Sequence, residues 1–164
     1  MKSKHIVLAV AVSLLAGTNL ALAQTATGTM GVGAQVTRTC TLSAEDLAFG
    51  DLSVDTVNTA SAVVTLVCNG VSTVTTVLVG MGENAAPVTQ RNMVSGTGTD
   101  LVPYTLHVLE AGGADIATEG AVTLVQVGTT NTYEVTLYGR SQPSTGYAMG
   151  TYSDVVILTA IYAP

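Results

Sequence analysis

From Thr25 to Thr37 the chain alternates with a period of two. Even positions hold Ala26, Gly28, Met30, Val32, Ala34 and Val36. Odd positions hold Thr25, Thr27, Thr29, Gly31, Gly33, Gln35 and Thr37. This spacing predicts a strand with one apolar face and one polar or bare face. No charge interrupts it before Arg38. Such a strand must pair with something, because a lone strand leaves a row of backbone donors and acceptors unsatisfied. The alternation alone allows two readings: a first strand inside its own sandwich, or a strand given to another molecule.

Further along, six to eight short β-rich runs are bounded by Gly, Asn, Asp and Pro. They are Ala62 to Cys68, Thr73 to Val79, Leu101 to Leu109, Ala121 to Val127, Thr132 to Tyr138 and Val155 to Tyr162. Asn69-Gly70 ends the first, and Gly112-Gly113 after Leu109 predicts a hairpin turn. The polar stretch from Glu83 to Asp100 reads as a long loop. In the last run, Tyr152, Val156, Leu158, Ala160 and Tyr162 share one parity, and Ser153 and Thr159 fall on the other. The even face is therefore expected to be core. Because Val155, Ile157 and Ile161 make the odd face apolar too, both faces are expected to be covered. No stretch has a helical period, and no linker or repeat divides the chain. The expected fold is an all-β sandwich with Greek-key connections.

Composition agrees once the N-terminus is set aside. Lys2 and Lys4 precede the short apolar run Ile6 to Ala16, and Ala21-Leu22-Ala23 makes an A-x-A cleavage site. These are the parts of a secretory signal peptide over residues 1–23. The apolar run is shorter than the roughly 20 residues of a membrane span. Thr and Val make up about a third of the remaining residues, and β-branched residues favour strands. Three arginines face eleven acids there, for a net charge of −8 without the leader. That balance argues against nucleic acid and anionic membranes as partners.

Export also bears on Cys40 and Cys68, the two cysteines of the chain. In an oxidising compartment a structural disulfide is the expected state, the alternative being two free buried thiols. Catalytic patterns are thin. Gly139-Arg140-Ser141-Gln142-Pro143 lacks the second glycine of a nucleophile elbow. Gly31-Val32-Gly33 and Gly96-Thr97-Gly98 lack the strand–helix setting of a dinucleotide loop. His107 is a lone histidine and Glu45-Asp46 reads as a solvated turn. No enzyme activity, cofactor, metal or small-molecule substrate is expected.

An ordered set of residues runs through the chain: the alternating segment, Cys40-Thr41-Leu42, Phe49-Gly50, Val67-Cys68-Asn69-Gly70, Arg91-Asn92-Met93, Leu101 to Leu106, Tyr138-Gly139-Arg140, and Gly150 to Asp154 before the terminal run. It resembles the spore coat protein U domain family, which includes the pilins of archaic, Csu-type chaperone–usher pili. The absence of Trp and the near absence of Lys depart from the family pattern.

The resemblance implies an incomplete immunoglobulin-like Greek-key sandwich completed by a donor strand from another subunit. It implies a signal peptide at 1–23, a donor extension at 24–38 and a pilin domain at 39–164. The donor face would be Ala26, Gly28, Met30, Val32, Ala34 and Val36. The acceptor groove would run along Val156, Leu158, Ala160 and Tyr162. Implied partners are a periplasmic chaperone, an outer-membrane usher and neighbouring pilins. The implied location is the periplasm in transit, then a pilus on the surface of a Gram-negative bacterium, serving attachment and biofilm formation. The competing expectation is a monomeric secreted coat or adhesive protein whose sandwich completes itself.

Overall fold

The computed structural model describes residues 24–53, 55–70, 75–85, 89–143 and 146–162. The expected signal peptide lies outside them, as do Thr73 and Val74 at the head of one predicted strand. The chain divides into two units, Met1–Gln35 and Val36–Pro164. Within the first, residues 24–35 form no strand and are exposed throughout, with Met30 at 85% and Val32 at 86%. The alternating pattern is thus present without the ladder it predicts.

The second unit is all-β, with no helix among the described residues. Its strands are β1 (Cys40–Ala44), β2 (Asn58–Cys68), β3 (Thr75–Val79), β4 (Arg91–Ser95), β5 (Leu101–His107), β6 (Gly120–Thr123), β7 (Val125–Gln126), β8 (Thr132–Ser141), β9 (Tyr152–Ser153) and β10 (Leu158–Tyr162). The large sheet runs β1-β2-β8-β5-β4-β9, with β7 also on β8. The small sheet runs β10-β3-β6. All pairings are antiparallel.

Period-two alternation sets which side chains go inward. Ala62, Val64, Leu66 and Cys68 of β2 are buried, as are Val77 and Val79 of β3. Val64, Leu66, Cys68, Val77 and Val79 meet Tyr104 and Leu106 of β5, Val122 of β6, and Tyr133 and Leu137 of β8 in one core. Fully burying a Val or Leu contributes about 1.5–3 kcal/mol, so this layer between the sheets is the main source of stability. At the start of β1, Cys40 pairs with Cys68 both in register and through a disulfide. Next to it, Asn69 fixes where the chain enters the sandwich. Its Nδ2 donates to the Thr37 carbonyl at 3.2 Å, and its Oδ1 accepts from the Thr39 amide at 2.9 Å.

Several local expectations change. The predicted loop Glu83–Asp100 contains β4, which pairs with β5. It escaped the pattern because its buried residues are polar: Arg91 is 4% and Asn92 is 3% exposed. The run Ala121–Val127 breaks at buried Leu124, where the chain leaves the small sheet as β6 and joins the large one as β7. Strand β5 stops at His107, and the predicted Gly112-Gly113 hairpin is instead a crossover, since β5 and β6 belong to different sheets. Both glycines have positive φ, 94° and 113°, a conformation that costs glycine nothing.

The terminal run also switches sheets. β9 pairs with β4 in the large sheet and β10 with β3 in the small one. Between them the chain follows residues 80–83, with the Gly80 and Glu83 amides donating to the Ile157 and Val155 carbonyls at 2.9 and 3.0 Å. Its even face packs inward as expected. The odd face is not covered: Val155, Ile157 and Ile161 are 55%, 66% and 51% exposed. Two neighbouring sheets would be needed to cover both faces, and a two-layer sandwich supplies one.

Candidate functional site

Among the described residues, β10 is an edge strand, paired on one side only, with β3. β1 is an edge of the large sheet. An open cleft of about 470 Å³ lies between the segment from Ala44 to Phe49, which leaves β1, and the segment from Tyr152 to Leu158, which leads into β10. Its floor is core: Val64, Leu106 and Leu137 from three strands of the large sheet. Its walls are half-buried apolar side chains, Leu47 and Phe49 opposite Val156 and Leu158. A second hollow of about 600 Å³ shares Leu47, Phe49, Met93 and Tyr152 with the first and continues it towards Tyr147 and Met149. The first is a mainly apolar trough beside the edge strand β10, and an apolar trough at a sheet edge is the geometry that strand addition requires.

The Leu47–Phe49 wall exists because β8 has a glycine facing it. A Cβ at Gly139 would lie 2.6 Å from Leu47 Cδ2 and 2.8 Å from Phe49 Cζ. Phe49 in turn meets the Tyr104 ring edge-on, with centroids 6.1 Å apart.

A polar hub holds the opposite wall. The Tyr104 hydroxyl donates to Asp154 Oδ2 at 2.7 Å. Asp154 Oδ1 accepts from the Asn84 amide at 3.1 Å and from Asn84 Nδ2 at 2.9 Å, and Asn84 Nδ2 also reaches the Ser153 carbonyl. Burial, then the hydrogen bond and negative charge of Asp154, push the Tyr104 phenol well above its ordinary value of 10.0. Gly82, at φ 91°, leaves room for the carboxylate, since a Cβ there would lie 2.0 Å from Asp154 Oδ2. The hub thus pins the chain where it crosses from one sheet to the other.

The sheets are tied together by Arg91. Its guanidinium, on β4 of the large sheet, donates to the Gly80 carbonyl at 3.0 Å and the Val79 carbonyl at 3.3 Å, at the end of β3. It also donates to the Ile116 carbonyl at 2.6 Å and the Ala117 carbonyl at 3.3 Å, just before β6. Asp115 supplies an ion-pair partner at 3.5 Å. The planar five-donor fork of arginine suits such divergent acceptors, and an ammonium would not.

The structure places the expected site residues in two groups. Val156 and Leu158 line the cleft. Ala160 packs against the core, and Tyr162 is half-buried on the same face. The donor-face residues Ala26, Gly28, Met30, Val32, Ala34 and Val36 are all exposed. Cys40 and Cys68 are joined. His107 is buried, its Nε2 bonded to Thr105 Oγ1 at 2.8 Å and its Nδ1 to the Ala114 carbonyl at 3.1 Å. Its ring is occupied in holding the β5 end to the crossover. Sequence reasoning misses the roles of Arg91, Tyr104 and Asp154. All three lie in the ordered motif set, but nothing in their spacing tells that their partners are remote in sequence.

The Spore Coat Protein U domain matches residues 26–159. No curated protein matches the chain. Among solved structures, the chain is similar to part of the CsuC–CsuE chaperone–tip adhesion subunit pre-assembly complex from archaic chaperone–usher Csu pili of Acinetobacter baumannii. The TM-score is 0.57 at 17% identity, over 76% of this chain and 40% of that one. At that identity the likeness is one of fold, and this chain spans 40% of the other's length.

Proposed function

Because the chain belongs to the Spore Coat Protein U domain family, we propose that it is a pilus subunit of the chaperone–usher type that polymerises by strand donation. One observation carries this reading. The sandwich leaves an apolar trough beside the edge strand β10, and the same chain carries a separate, exposed, alternating segment of the kind that fills such a trough. Residues 24–37 of one subunit enter the trough of the next. Met30 and Val32 are the larger plugs, Ala26, Ala34 and Val36 the smaller ones, and Gly28 allows close backbone approach. Main-chain hydrogen bonds to β10 supply affinity, and alternate side chains supply register.

Burying Met30 and Val32, each now more than four-fifths exposed, contributes about 1.5–3 kcal/mol apiece. A head-to-tail contact that does not close on itself gives an open fibre. Before assembly the trough needs a temporary occupant, which is the role of a periplasmic chaperone. Export through the signal peptide at 1–23 and an outer-membrane usher then places the fibre on the cell surface, where it serves attachment and biofilm formation.

The test compares three mature chains expressed with the assembly machinery: the parent, a deletion of 24–37, and Met30→Asp with Val32→Asp. The parent forms ladders that resist dissociation without boiling. The deletion and the double variant are still captured by the chaperone but form none. A parent that is a stable monomer and never polymerises, or normal fibres from the double variant, refutes the reading. The first outcome would favour a self-completed monomer.

A further inference from the structure

Sulfur in this chain is unevenly protected. Cys40 and Cys68 are joined, so neither offers a thiol. Beyond Met1 the methionines are Met30, Met81, Met93 and Met149. Met81 and Met93 are half-buried, and Met93 packs against the core. Met30 and Met149 stand in solvent, 85% and 95% exposed. Met149 does not line the cleft. Met30 lies on the alternating apolar face of 24–37, where it is the largest side chain.

We infer that Met30 is a site of reversible oxidation that decides whether a subunit can donate its strand. The inference rests on the strand-donation reading and deepens it. The oxidant is a two-electron oxygen donor, hypochlorous acid or a peroxide. Its oxygen bonds to the Met30 sulfur, which loses two electrons. Hypochlorous acid is reduced to chloride and releases a proton, and hydrogen peroxide is reduced to water. The product, methionine sulfoxide, is polar where the thioether was apolar.

The trough is built to refuse that oxygen. A sulfoxide oxygen accepts hydrogen bonds, so it needs a donor once it leaves water. Among the described residues, the polar side chains lining the cleft are Glu45, Asp46, Tyr104, Tyr152, Ser153 and Asp154. Three of them are acids, whose carboxylates accept and do not donate. The Tyr104 hydroxyl already donates to Asp154, and the Tyr152 hydroxyl to the Ala148 carbonyl. Ser153 is exposed, on the outward parity of the terminal run. The amides of β10 pair with the carbonyls of the incoming strand. One buried acceptor left without a donor weakens binding roughly tenfold to a hundredfold.

Donation also closes the site. A thioether seated in the trough has left solvent, so Met30 is open to oxidant before assembly and covered after it. An oxidised subunit is kept out of the fibre, and a subunit already in the fibre is protected. The exclusion is not permanent, because methionine sulfoxide reductases, one for each epimer, restore the thioether.

The test uses the full mature chain, taken unassembled from cells without the usher, and fibres sheared from cells that have it. Both receive limiting hypochlorous acid, with free N-acetylmethionine in each tube reporting the dose. Peptide mass mapping is expected to find several-fold more sulfoxide at Met30 in the unassembled chain than in fibres. Returned to the assembly machinery, the treated chain is expected to give about tenfold less unboiled ladder than the untreated chain. Treatment with both reductases is expected to restore it. Met30→Leu is scored against its own untreated level and is expected to keep that level after oxidation. Absence of sulfoxide at Met30 in the unassembled chain, equal ladders from treated and untreated parent, or an equal loss in Met30→Leu overturns the inference while leaving strand donation in place. Equal oxidation of Met30 in fibres and in the unassembled chain refutes strand donation itself, and the inference with it.

Discussion

Replacing Arg91 by methionine is the sharpest probe of how this sandwich stays closed while one of its edges is open. Methionine keeps most of the side-chain length and removes every donor. Four backbone carbonyls lose a partner: Gly80, Ile116, Val79 and Ala117. The two at 3.3 Å are weak, and water reaching the half-exposed Asp115 side can replace part of them. Those of Gly80 and Ile116, at 3.0 and 2.6 Å, count in full. A buried acceptor left unsatisfied costs about 1–3 kcal/mol, which puts the loss at about 2–6 kcal/mol against a domain stability of about 5–15 kcal/mol. The ion pair adds little, because Asp115 is 41% exposed.

Urea unfolding of the parent and variant at equal protein concentration, monitored by circular dichroism, reads the difference as a lower midpoint with an unchanged slope. Arg91→Lys separates charge from geometry. It restores a cation but cannot reach divergent carbonyls on two elements, so it is expected to recover less than half of the loss. A destabilisation below about 1 kcal/mol for Arg91→Met would show that the carbonyls are satisfied otherwise, and would refute the argument that this side chain ties the sheets together.

Three further outcomes are expected. Tyr104→Phe removes the donor to Asp154 and costs about 1–2 kcal/mol. It also changes alkaline behaviour: the folded phenol lies above its ordinary 10.0, so its contribution is complete below that pH and lost as pH rises beyond it. Unfolding midpoints across the alkaline range should therefore fall less steeply in the variant. Gly139→Val drives a side chain into Leu47 and Phe49 and costs about 1–3 kcal/mol by overpacking. Its clearest signature is weaker binding of a synthetic 24–37 peptide, measured by calorimetry, because the displaced pair is a wall of the cleft. Reducing the Cys40–Cys68 disulfide, which spans 28 residues, costs roughly 3–4 kcal/mol by loop-closure entropy, seen as a lower urea midpoint in the presence of dithiothreitol.

What the sequence determined is what short-range physics writes locally. β-branched runs with period-two burial placed most of β2, β3, β5, β8 and β10, and the two cysteines, in a chain expected to be exported, announced their pairing. The even face of the terminal run and the alternation of 24–37 were equally legible, since each depends on near neighbours in sequence, whereas the exposure of residues 24–35 is seen only in the structure. Tertiary structure decided the rest. Arg91 and Asn92 read as loop because buried polar residues are tolerated only when remote acceptors are at hand, and no local pattern reveals the Gly80 and Ile116 carbonyls. The switch of β6 into β7 and of β9 into β10 is a matter of which sheet lies nearest. The cleft draws its floor and walls from β2, β5, β8 and two crossing segments, so it exists only once those segments are brought together. The bare outer face of β10 shows the same limit from the other side. An apolar pattern says that a face seeks cover, and only packing decides whether this chain or another provides it.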